Sequence, residues 1–300
     1  MDLASLRIFK AVAEHGGVNR AAASLHRVPS NVTTRVKQLE AALGTKLFVR
    51  EKNRLALSAE GKVLLNYANQ LLRLSAEAQT ALRGGKPHGT LRIGSLESTA
   101  ATRLPALLSR YHARYPEVRV ELVTGTSGAL VARVHAQELE AAFVAEPFSE
   151  AGLDMRGAFA EELVLIAPKT HARIRSPKDL GNRTVIAFAA GCSYRRRLET
   201  WLSEGKVVPE QTMEFQSYHA IVACVAAGCG IAVVPRSVIR ATPGQAEVSV
   251  TALPGAIAKT RTRLVWRPGY QSTALEALKR LLPLSAEKGG VSAVRPVVGK

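Results

Sequence analysis

The sequence predicts an α/β protein with an N-terminal all-α-type region and a larger C-terminal region in which strands alternate with helices. Two observations carry this prediction. Apolar residues recur at helical spacing from Leu3 to Ala13, whereas from Thr90 onward short apolar runs alternate with helical patterns. The second pattern is typical of α/β units built on parallel strands. Gly84-Gly85 and Pro87 interrupt the periodicity between the two regions, so they indicate a hinge.

The composition is that of a globular protein with a strong basic excess. Hydrophobic residues make up 47% of the 300 residues, which is enough for two cores, and the formal net charge is +17. Residues 1–88 contain 14 Lys and Arg against 6 Asp and Glu, so the positive charge is densest in this region. Because a basic domain attracts phosphate backbones, double-stranded DNA is the first partner that the charge suggests.

Three sequence features predict a cytoplasmic location. The first residues lack the apolar core and small-residue cleavage site of a signal peptide. No run of 18 apolar residues is present to span a bilayer, so no membrane partner is expected. The three cysteines, Cys192, Cys224 and Cys229, are odd in number and lack the spacing of metal ligands. We therefore predict neither a metal nor another cofactor.

Residues 18–37 predict a helix-turn-helix. An Ala-rich helix over 18–25 is followed by Pro29, which disfavours helix at the residue before it. Ser30 is the expected N-cap of a second helix that ends near Leu43. Its short polar side chains and few cations suit a helix laid in the DNA major groove. The stripe expected to be buried comprises Val32, Val36 and Leu39.

A hairpin and a long helix follow. Residues 46–50 and 55–57 have the pattern of two strands joined by a charged turn, which predicts a wing. The next helix extends to about Leu82, and a small winged domain has too little surface to cover its apolar side. We therefore expect it to form a dimer; packing on its own domain is the alternative. Its leucines are Leu64, Leu65, Leu71, Leu72, Leu74 and Leu82.

Several motifs in this order resemble the LysR family of transcriptional regulators over nearly the whole chain. The motifs are FKAVAEHGGVNRAAASLHRVPSNVTTRVKQLEAALGTKLFVR, then LALSAEG, LRIG and AAGCGIAVVP. The resemblance implies a winged helix-turn-helix and a linker helix that pairs two subunits. It also implies a two-lobed effector domain like a periplasmic binding protein, and dimers that associate as tetramers. RNA polymerase is a further expected partner of such a regulator.

The resemblance leads to four segments. Residues 1–58 form the DNA-binding domain, 59–89 the linker helix and hinge, 90–284 the effector-binding domain and 285–300 a flexible tail. Within the effector domain we assign 90–162 and 268–284 to the first lobe and 163–267 to the second.

The second helix of the helix-turn-helix, the recognition helix, departs from the common family pattern. Many relatives have Ser-Gln-Pro-Ala-Val-Ser where this chain has Val28-Pro29-Ser30-Asn31-Val32-Thr33. Asn31 replaces a small residue and is able to pair bidentately with adenine, so no operator sequence can be borrowed from relatives. The stretches GSLESTA, VPSNVTTR and GCSYRR resemble a subgroup that contains enterobacterial putrescine-utilisation regulators.

We assign sequence readout to the exposed start of the recognition helix. The base-reading residues are Ser30, Asn31, Thr34 and Arg35. Thr33 and Lys37 are expected to touch phosphate, which sets register without reading bases. The wing cations Arg50, Lys52 and Arg54 are expected near the backbone or minor groove, and a solvated charge run is their alternative.

A small polar effector is expected where parallel strands end and helix N-termini offer free amides. In the family, the positions matching Ser98 and Thr126 commonly hold an effector carboxylate, although helix capping would also explain a hydroxyl there. Glu97 and Glu146 repel an anion, so if both face the cleft an amine or amino acid is favoured. The assigned effector residues are Ser98, Thr99, Thr126, Ser193, Tyr218 and His219, and further candidates are Glu97, Glu146 and Cys192.

Three other classes of protein are weighed against a regulator. An enzyme is disfavoured because the chain has no GxGxxG, P-loop, GxSxG or HExxH motif. A solute-binding protein would explain residues 90–284 and leave 1–89 without a role. A thiol-based redox-responsive regulator stays open, because Cys192 lies in a predicted cleft loop. The effector itself is left open between a carboxylate, an amino acid and a polyamine.

Overall fold

A computed structural model describes residues 1–51, 54–82, 86–171, 174–180, 184–242 and 247–283. Lys52 and the predicted tail over 285–300 lie outside the described residues. The chain divides into two compact units, with the boundary between Lys86 and Pro87.

The first unit is a helix-turn-helix followed by a hairpin and a long helix, as predicted. Its elements are α1 (Leu3–His15), α2 (Val18–Ser24), α3 (Pro29–Leu43), β1 (Phe48–Glu51), β2 (Arg54–Leu57) and α4 (Ala59–Leu82). The strands are antiparallel, with Phe48 opposite Leu57. Gly44 ends α3 in the left-handed conformation at φ 66°, which a glycine adopts without steric cost.

Helix α1 supplies the centre of two small cores in this unit. Ile8 and Val12 pack with Val32 of α3, while Leu6 and Phe9 pack with residues around Leu39. The predicted buried stripe is therefore present on α3. Val32 and Leu39 are buried, and Val36 is half-buried against the same core.

The N-cap prediction for Ser30 was wrong. Helix α3 begins one residue earlier, at Pro29, and its N-cap is Val28, which has no capping side chain. Proline suits this first position because its φ is already helical and its missing N–H would have had no partner in the helix. The backbone amide of Asn31 donates to the Val28 carbonyl at 3.0 Å. The Ser30 hydroxyl makes no hydrogen bond within the described part of the chain and is exposed.

The leucines of α4 divide between two surfaces. Leu64, Leu65 and Leu72 pack against the core around Leu6 and Phe9, so the packing alternative holds for them. The side chain of Leu82 lies outside the described residues. The large apolar side chains that α4 leaves exposed are Val63, Tyr67, Leu71 and Leu74, and we call them the α4 stripe.

The second unit alternates strands and helices. Its first part comprises β3 (Gly89–Ser95), α5 (Glu97–Thr102), α6 (Leu104–Arg114), β4 (Val118–Thr124), α7 (Ser127–His135), β5 (Ala141–Ala145) and β6 (Asp154–Pro168). Its second part comprises a 3-10 turn (Pro177–Leu180), β7 (Val185–Phe188), α8 (Ser193–Glu204), β8 (Thr212–Phe215), α9 (Tyr218–Ala226), β9 (Ile231–Pro235), α10 (Arg236–Ala241), β10 (Val248–Ala252), α11 (Gly255–Ala258), β11 (Lys259–Trp266) and α12 (Thr273–Arg280).

The strands follow the order β4-β3-β5-β11-β6-β9-β7-β8, and β10 also pairs with β6. Strand β3 is parallel to β4 and β5, and β7 is parallel to β8 and β9. Strand β6 pairs with strands from both parts of the unit. Its residues 154–162 pair with β11, whereas residues 163–166 pair with β9. The unit therefore has two lobes that share β6.

The second lobe is shorter than the sequence predicted. Strand β11 pairs with β5 and with the first half of β6, so it belongs to the sheet of the first lobe. The predicted range 163–267 had assigned it to the second lobe. The sequence pattern could not show this, because β11 returns to the sheet of the first lobe without any change in the local alternation of strands and helices. The difference between the predicted and observed lobe boundary follows from this return.

Candidate functional site

The start of α3 presents a polar surface. Asn31, Thr34, Arg35 and Lys37 are exposed along with Ser30, whereas the apolar side of the helix is buried. Thr33 is half-buried, and its hydroxyl donates to the Pro29 carbonyl at 3.0 Å. The arrangement provides hydroxyl, amide and guanidinium groups on one exposed helix start, which are the groups that contact bases and phosphates.

The wing is joined to the recognition helix through a buried acid that the sequence reasoning missed. Glu40, near the end of α3, accepts hydrogen bonds from the Leu47 amide at 2.9 Å and the Phe48 amide at 3.4 Å. Lys46 donates to its other oxygen at 3.2 Å. Glu40 thus holds the start of β1 against α3. A glutamate in an otherwise amphipathic helix has no sequence signal that sets it apart.

The wing cations are described only in part. Arg50 is exposed on β1. Arg54 begins β2, and its side chain lies outside the described residues, as does all of Lys52. At the far end of the hairpin, Ser58 accepts from the Gly61 amide at 2.9 Å and donates to the Lys46 carbonyl at 2.7 Å. The start of α4 is therefore capped by a residue that also holds the wing.

In the second unit, the starts of α7 and α8, from the two lobes, meet directly where the effector cleft was expected. The Ser193 hydroxyl donates to the Ala145 carbonyl at 2.6 Å and lies 2.8 Å from the Ser127 hydroxyl. Ser127 in turn accepts from the Ala145 amide at 3.2 Å. Both serines are buried. Ser193 therefore satisfies buried polar groups of the first lobe.

A second interlobe contact involves Thr126 and Gly191. Thr126 is the N-cap of α7 and accepts from the Ala129 amide at 3.3 Å, so the capping role weighed for it is present. Gly191 has φ 87°, and a Cβ there would lie 3.1 Å from the Thr126 hydroxyl. Glycine is therefore required by conformation and is also suited to the close approach of the two loops.

Tyr194 occupies the space between Ser98 and β11. Burial raises the pKa of its hydroxyl, which lies close to the hydroxyls of Ser98 and Thr262. The Ser98 oxygen is buried and makes no hydrogen bond of standard geometry within the described residues. Thr99, beside it, is also buried. Ser98 is thus a donor and acceptor that the described protein leaves without a well-aligned partner.

The Cys192 thiol is in an unreactive environment. It is buried, and burial raises its pKa despite nearby amides and the Tyr218 hydroxyl, which lower it. Tyr218 is buried as well, and its ring lies 4.8 Å from that of Phe188. Since the thiolate is the reactive form, a raised pKa argues against the redox alternative at Cys192.

Glu97 and His219 lie close to each other at the start of α9. Burial raises the pKa of the Glu97 carboxyl, and the charge of His219 and the Tyr218 amide lower it. His219 itself is exposed. Glu97 belongs to the first lobe and α9 to the second, so this is another interlobe contact.

Glu146 is engaged by an arginine. Its carboxylate accepts from the Arg263 guanidinium at 2.7 Å, and its backbone carbonyl accepts from Arg197 at 3.2 Å. The sequence favoured an amine or amino acid only if both Glu97 and Glu146 faced the cleft. Because Arg263 already neutralises the Glu146 carboxylate, this argument for an amine is weakened.

The comparisons with known proteins agree with this architecture. The lysR-family model of bacterial regulatory helix-turn-helix proteins matches residues 3–62, and the LysR substrate binding domain matches residues 84–283. YusT of Bacillus subtilis, an uncharacterised HTH-type transcriptional regulator, is 38% identical over 92% of this chain and 93% of its own length. YofA of Bacillus velezensis, another HTH-type transcriptional regulator, is 43% identical over 80% of this chain and 83% of its own.

Solved structures share the fold. A full-length OxyR variant from Pseudomonas aeruginosa has a TM-score of 0.70 at 22% identity, covering 94% of this chain and 93% of that one. Full-length CbnR in a complex with its target DNA has a TM-score of 0.69 at 22% identity, covering 94% and 99%.

A helix-turn-helix joined to a two-lobed substrate-binding domain defines a transcriptional regulator rather than an enzyme. The chain belongs to the LysR family of such regulators. Within the described ranges, no helix is both long and apolar enough to cross a membrane.

Proposed function

We propose that this LysR-family protein is a cytoplasmic, sequence-specific DNA-binding regulator that reads bases with Ser30, Asn31, Thr34 and Arg35. The observation that carries the proposal is the exposure of these four side chains on the first turns of a helix whose other side is buried. A helix-turn-helix places the N-terminal residues of this helix at base edges. The CbnR structure, which contains target DNA, supports the same use of the fold.

The proposed active form is a homodimer. The α4 stripe exposes Val63, Tyr67 and Leu74 at 56%, 58% and 62%, on a helix whose other side is packed. Large apolar side chains at helical spacing on an exposed surface favour association with a second helix. Pairing of two copies would set two recognition helices on successive half-sites. Association of dimers as tetramers, and contact with RNA polymerase, extend the proposal.

The proposed effector is a small polar metabolite held between the lobes. The starts of α5 and α7, with Ser98, Thr99 and the N-cap Thr126, belong to the first lobe, and the starts of α8 and α9, with Ser193 and Tyr218, belong to the second. Contacts between these helix starts depend on a few hydroxyls. Ser98, which lacks a well-aligned partner, is the residue best placed to bind an effector oxygen. A ligand that binds one arrangement of the lobes better than another shifts the population of those arrangements.

Selection from fragmented genomic DNA tests the proposal. The full-length protein should enrich fragments that share one motif with two related half-sites, because a dimer presents two copies of α3. Asn31→Ala should alter or abolish the motif, whereas Gln79→Ala, an exposed change on α4, should leave it unchanged. Enrichment without any shared motif would show nonspecific binding and refute sequence-specific readout.

A further inference from the structure

A basic cavity lies beside the β6 and β11 strands, and none of the predicted effector residues except Glu146 lines it. Its volume is about 910 Å³, within the range of small-molecule sites. Five cationic side chains line it, against three carboxylates, Glu146, Glu161 and Glu162. The cations are Arg103, Arg236, Arg240, Lys259 and Arg261.

Each lining carboxylate already has an arginine partner. Glu162 accepts two hydrogen bonds from Arg236, at 2.7 and 2.9 Å, which hold the pKa of its carboxyl below its usual value. Glu161 accepts from Arg103 at 3.2 Å. The partner of Glu146, Arg263, does not line the cavity. The acids are therefore neutralised, and positive charge remains.

The remaining charge is concentrated on groups that have no acid of their own. Arg240 and Lys259 are exposed and form no ion pair with any residue in the described ranges. Both lie close enough to Glu162 to lower the pKa of its carboxyl. In addition, the Arg103 Nε is buried without a hydrogen-bond partner among the described residues. The lining of the cavity thus includes two unpaired cations.

Both lobes contribute to this cavity. Arg103 precedes α6 and Lys259 begins β11, both in the first lobe, whereas Arg236 and Arg240 are on α10 in the second. Ser237 of α10 connects the lobes by donating to Glu161 at 2.6 Å. A ligand held by these cations would therefore bridge the lobes.

We propose that this cavity binds a compact multivalent anion, a small molecule with two or three carboxylate or phosphate groups. A guanidinium group pairs with two oxygens of a carboxylate or of a phosphate through parallel, charge-assisted hydrogen bonds. An amine is repelled by the same five cations. Binding offsets the mutual repulsion of cations from the two lobes, and so stabilises their present arrangement. The inference rests on the proposed function and deepens it: it names the chemical class of a regulating ligand and a second binding site between the lobes.

Thermal shift and calorimetric titration of the full-length protein, without DNA, test the inference with citrate and pyrophosphate as probes. Acetate and putrescine at the same ionic strength are the monovalent and cationic comparisons. Citrate, pyrophosphate or both should raise the melting temperature, because a ligand that binds only the folded state stabilises it. Citrate alone would indicate a polycarboxylate, and pyrophosphate alone a phosphate ligand. If acetate raised the melting temperature as much as citrate and pyrophosphate do, the inference would be overturned.

Matched variants distinguish binding of the anion in the cavity from binding to the basic DNA-binding unit. Arg240→Gln/Lys259→Gln removes two cations from the cavity, and Arg196→Gln/Lys178→Gln removes two exposed cations elsewhere in the second lobe. The first pair should weaken binding about tenfold or more, and the second should leave it near wild type. Lys259→Gln alone makes the same comparison if the double variant does not fold. Equal affinities would overturn the inference and leave the DNA selection above unaffected, since this measurement uses no DNA.

Discussion

The Ser193 hydroxyl lies 2.8 Å from the Ser127 hydroxyl, and this contact joins the first turns of α8 and α7 across the two lobes. Both side chains are buried, and both also bond to the backbone of Ala145. The contact between the lobes is therefore polar and buried at these two serines. A ligand that enters it has to replace these hydrogen bonds.

Ser127→Ala tests the importance of this contact for stability. The change removes the acceptor of the buried Ala145 amide, so it should lower the free energy of unfolding by about 1–3 kcal/mol. Denaturation followed by tryptophan fluorescence reports on this unit alone, because Trp201 and Trp266 are the two tryptophans of the chain. Ser203→Ala, at an exposed hydroxyl of α8, should change stability by less than about 0.5 kcal/mol. Equal costs would show that the buried contacts of Ser127 with Ala145 and Ser193 contribute no more than an exposed hydroxyl.

Glu40→Ala should destabilise the first unit by about 1–3 kcal/mol, because the buried Leu47 amide loses its acceptor. The loss should be seen by far-UV circular dichroism and not by tryptophan fluorescence, since this unit contains no tryptophan. Glu14→Ala removes only the ion pair of the exposed Glu14 carboxylate with the half-buried Lys10 at 3.6 Å and should cost roughly 0.5 kcal/mol or less. Similar losses in the two variants would contradict the proposed link between wing and helix.

Glu97 predicts a pH dependence. Burial raises its folded-state pKa above the unfolded value, so ionisation costs stability at neutral pH. The cost falls as the pH decreases through the folded pKa, and is gone below the unfolded pKa. Glu97→Gln should therefore raise the melting temperature of the second unit at neutral pH, with a gain that shrinks on acidification. A gain that is the same at every pH, or a loss at neutral pH, would contradict this account.

Leu74→Glu tests the α4 stripe as the dimer surface. Leu74 is 62% exposed in the single chain, and the change places a charge where the proposed dimer would bury apolar area. Full burial of a leucine contributes about 1.5–3 kcal/mol, so dimer affinity should fall tenfold or more. Sedimentation velocity over a range of concentrations measures the effect. Gln79→Glu introduces the same charge at an exposed position on another side of α4 and should not change the affinity. Equal dissociation by both variants would argue against a specific interface at Leu74.

The N-terminal fold could be predicted closely from local patterns. The helical spacing of Leu6, Phe9 and Val12 on α1 marks residues that form the two cores, and so does that of Val32 and Leu39 on α3. The start of α3 was predicted one residue late because Ser30 is a good N-cap by type, while Pro29 provides a helical φ of its own. Glu40 was missed because its role depends on backbone amides of β1, which local periodicity does not reveal.

The second unit was predictable in its strands and less so in its connections. The predicted alternation of strands and helices from Thr90 onward is present. Helices α5 and α6 are separated at Arg103, because Pro105 in the first turn of α6 has no N–H to donate to α5. The basic cavity could not be predicted, since Arg103, Arg240 and Lys259 come from distant segments that only the fold brings together.

The central claim is that α3 reads DNA sequence, and the ratio of specific to nonspecific binding of Arg35→Ala tests it most directly. Equilibrium binding to the selected fragment and to a scrambled fragment of equal length gives this ratio at one salt concentration. Arg35→Ala should weaken binding to the selected fragment by roughly 1–3 kcal/mol and to the scrambled one by less. Arg7→Ala, at an exposed arginine of α1, should leave the ratio unchanged. An equal loss on both fragments with Arg35→Ala would make Arg35 a phosphate contact and contradict base readout by this helix.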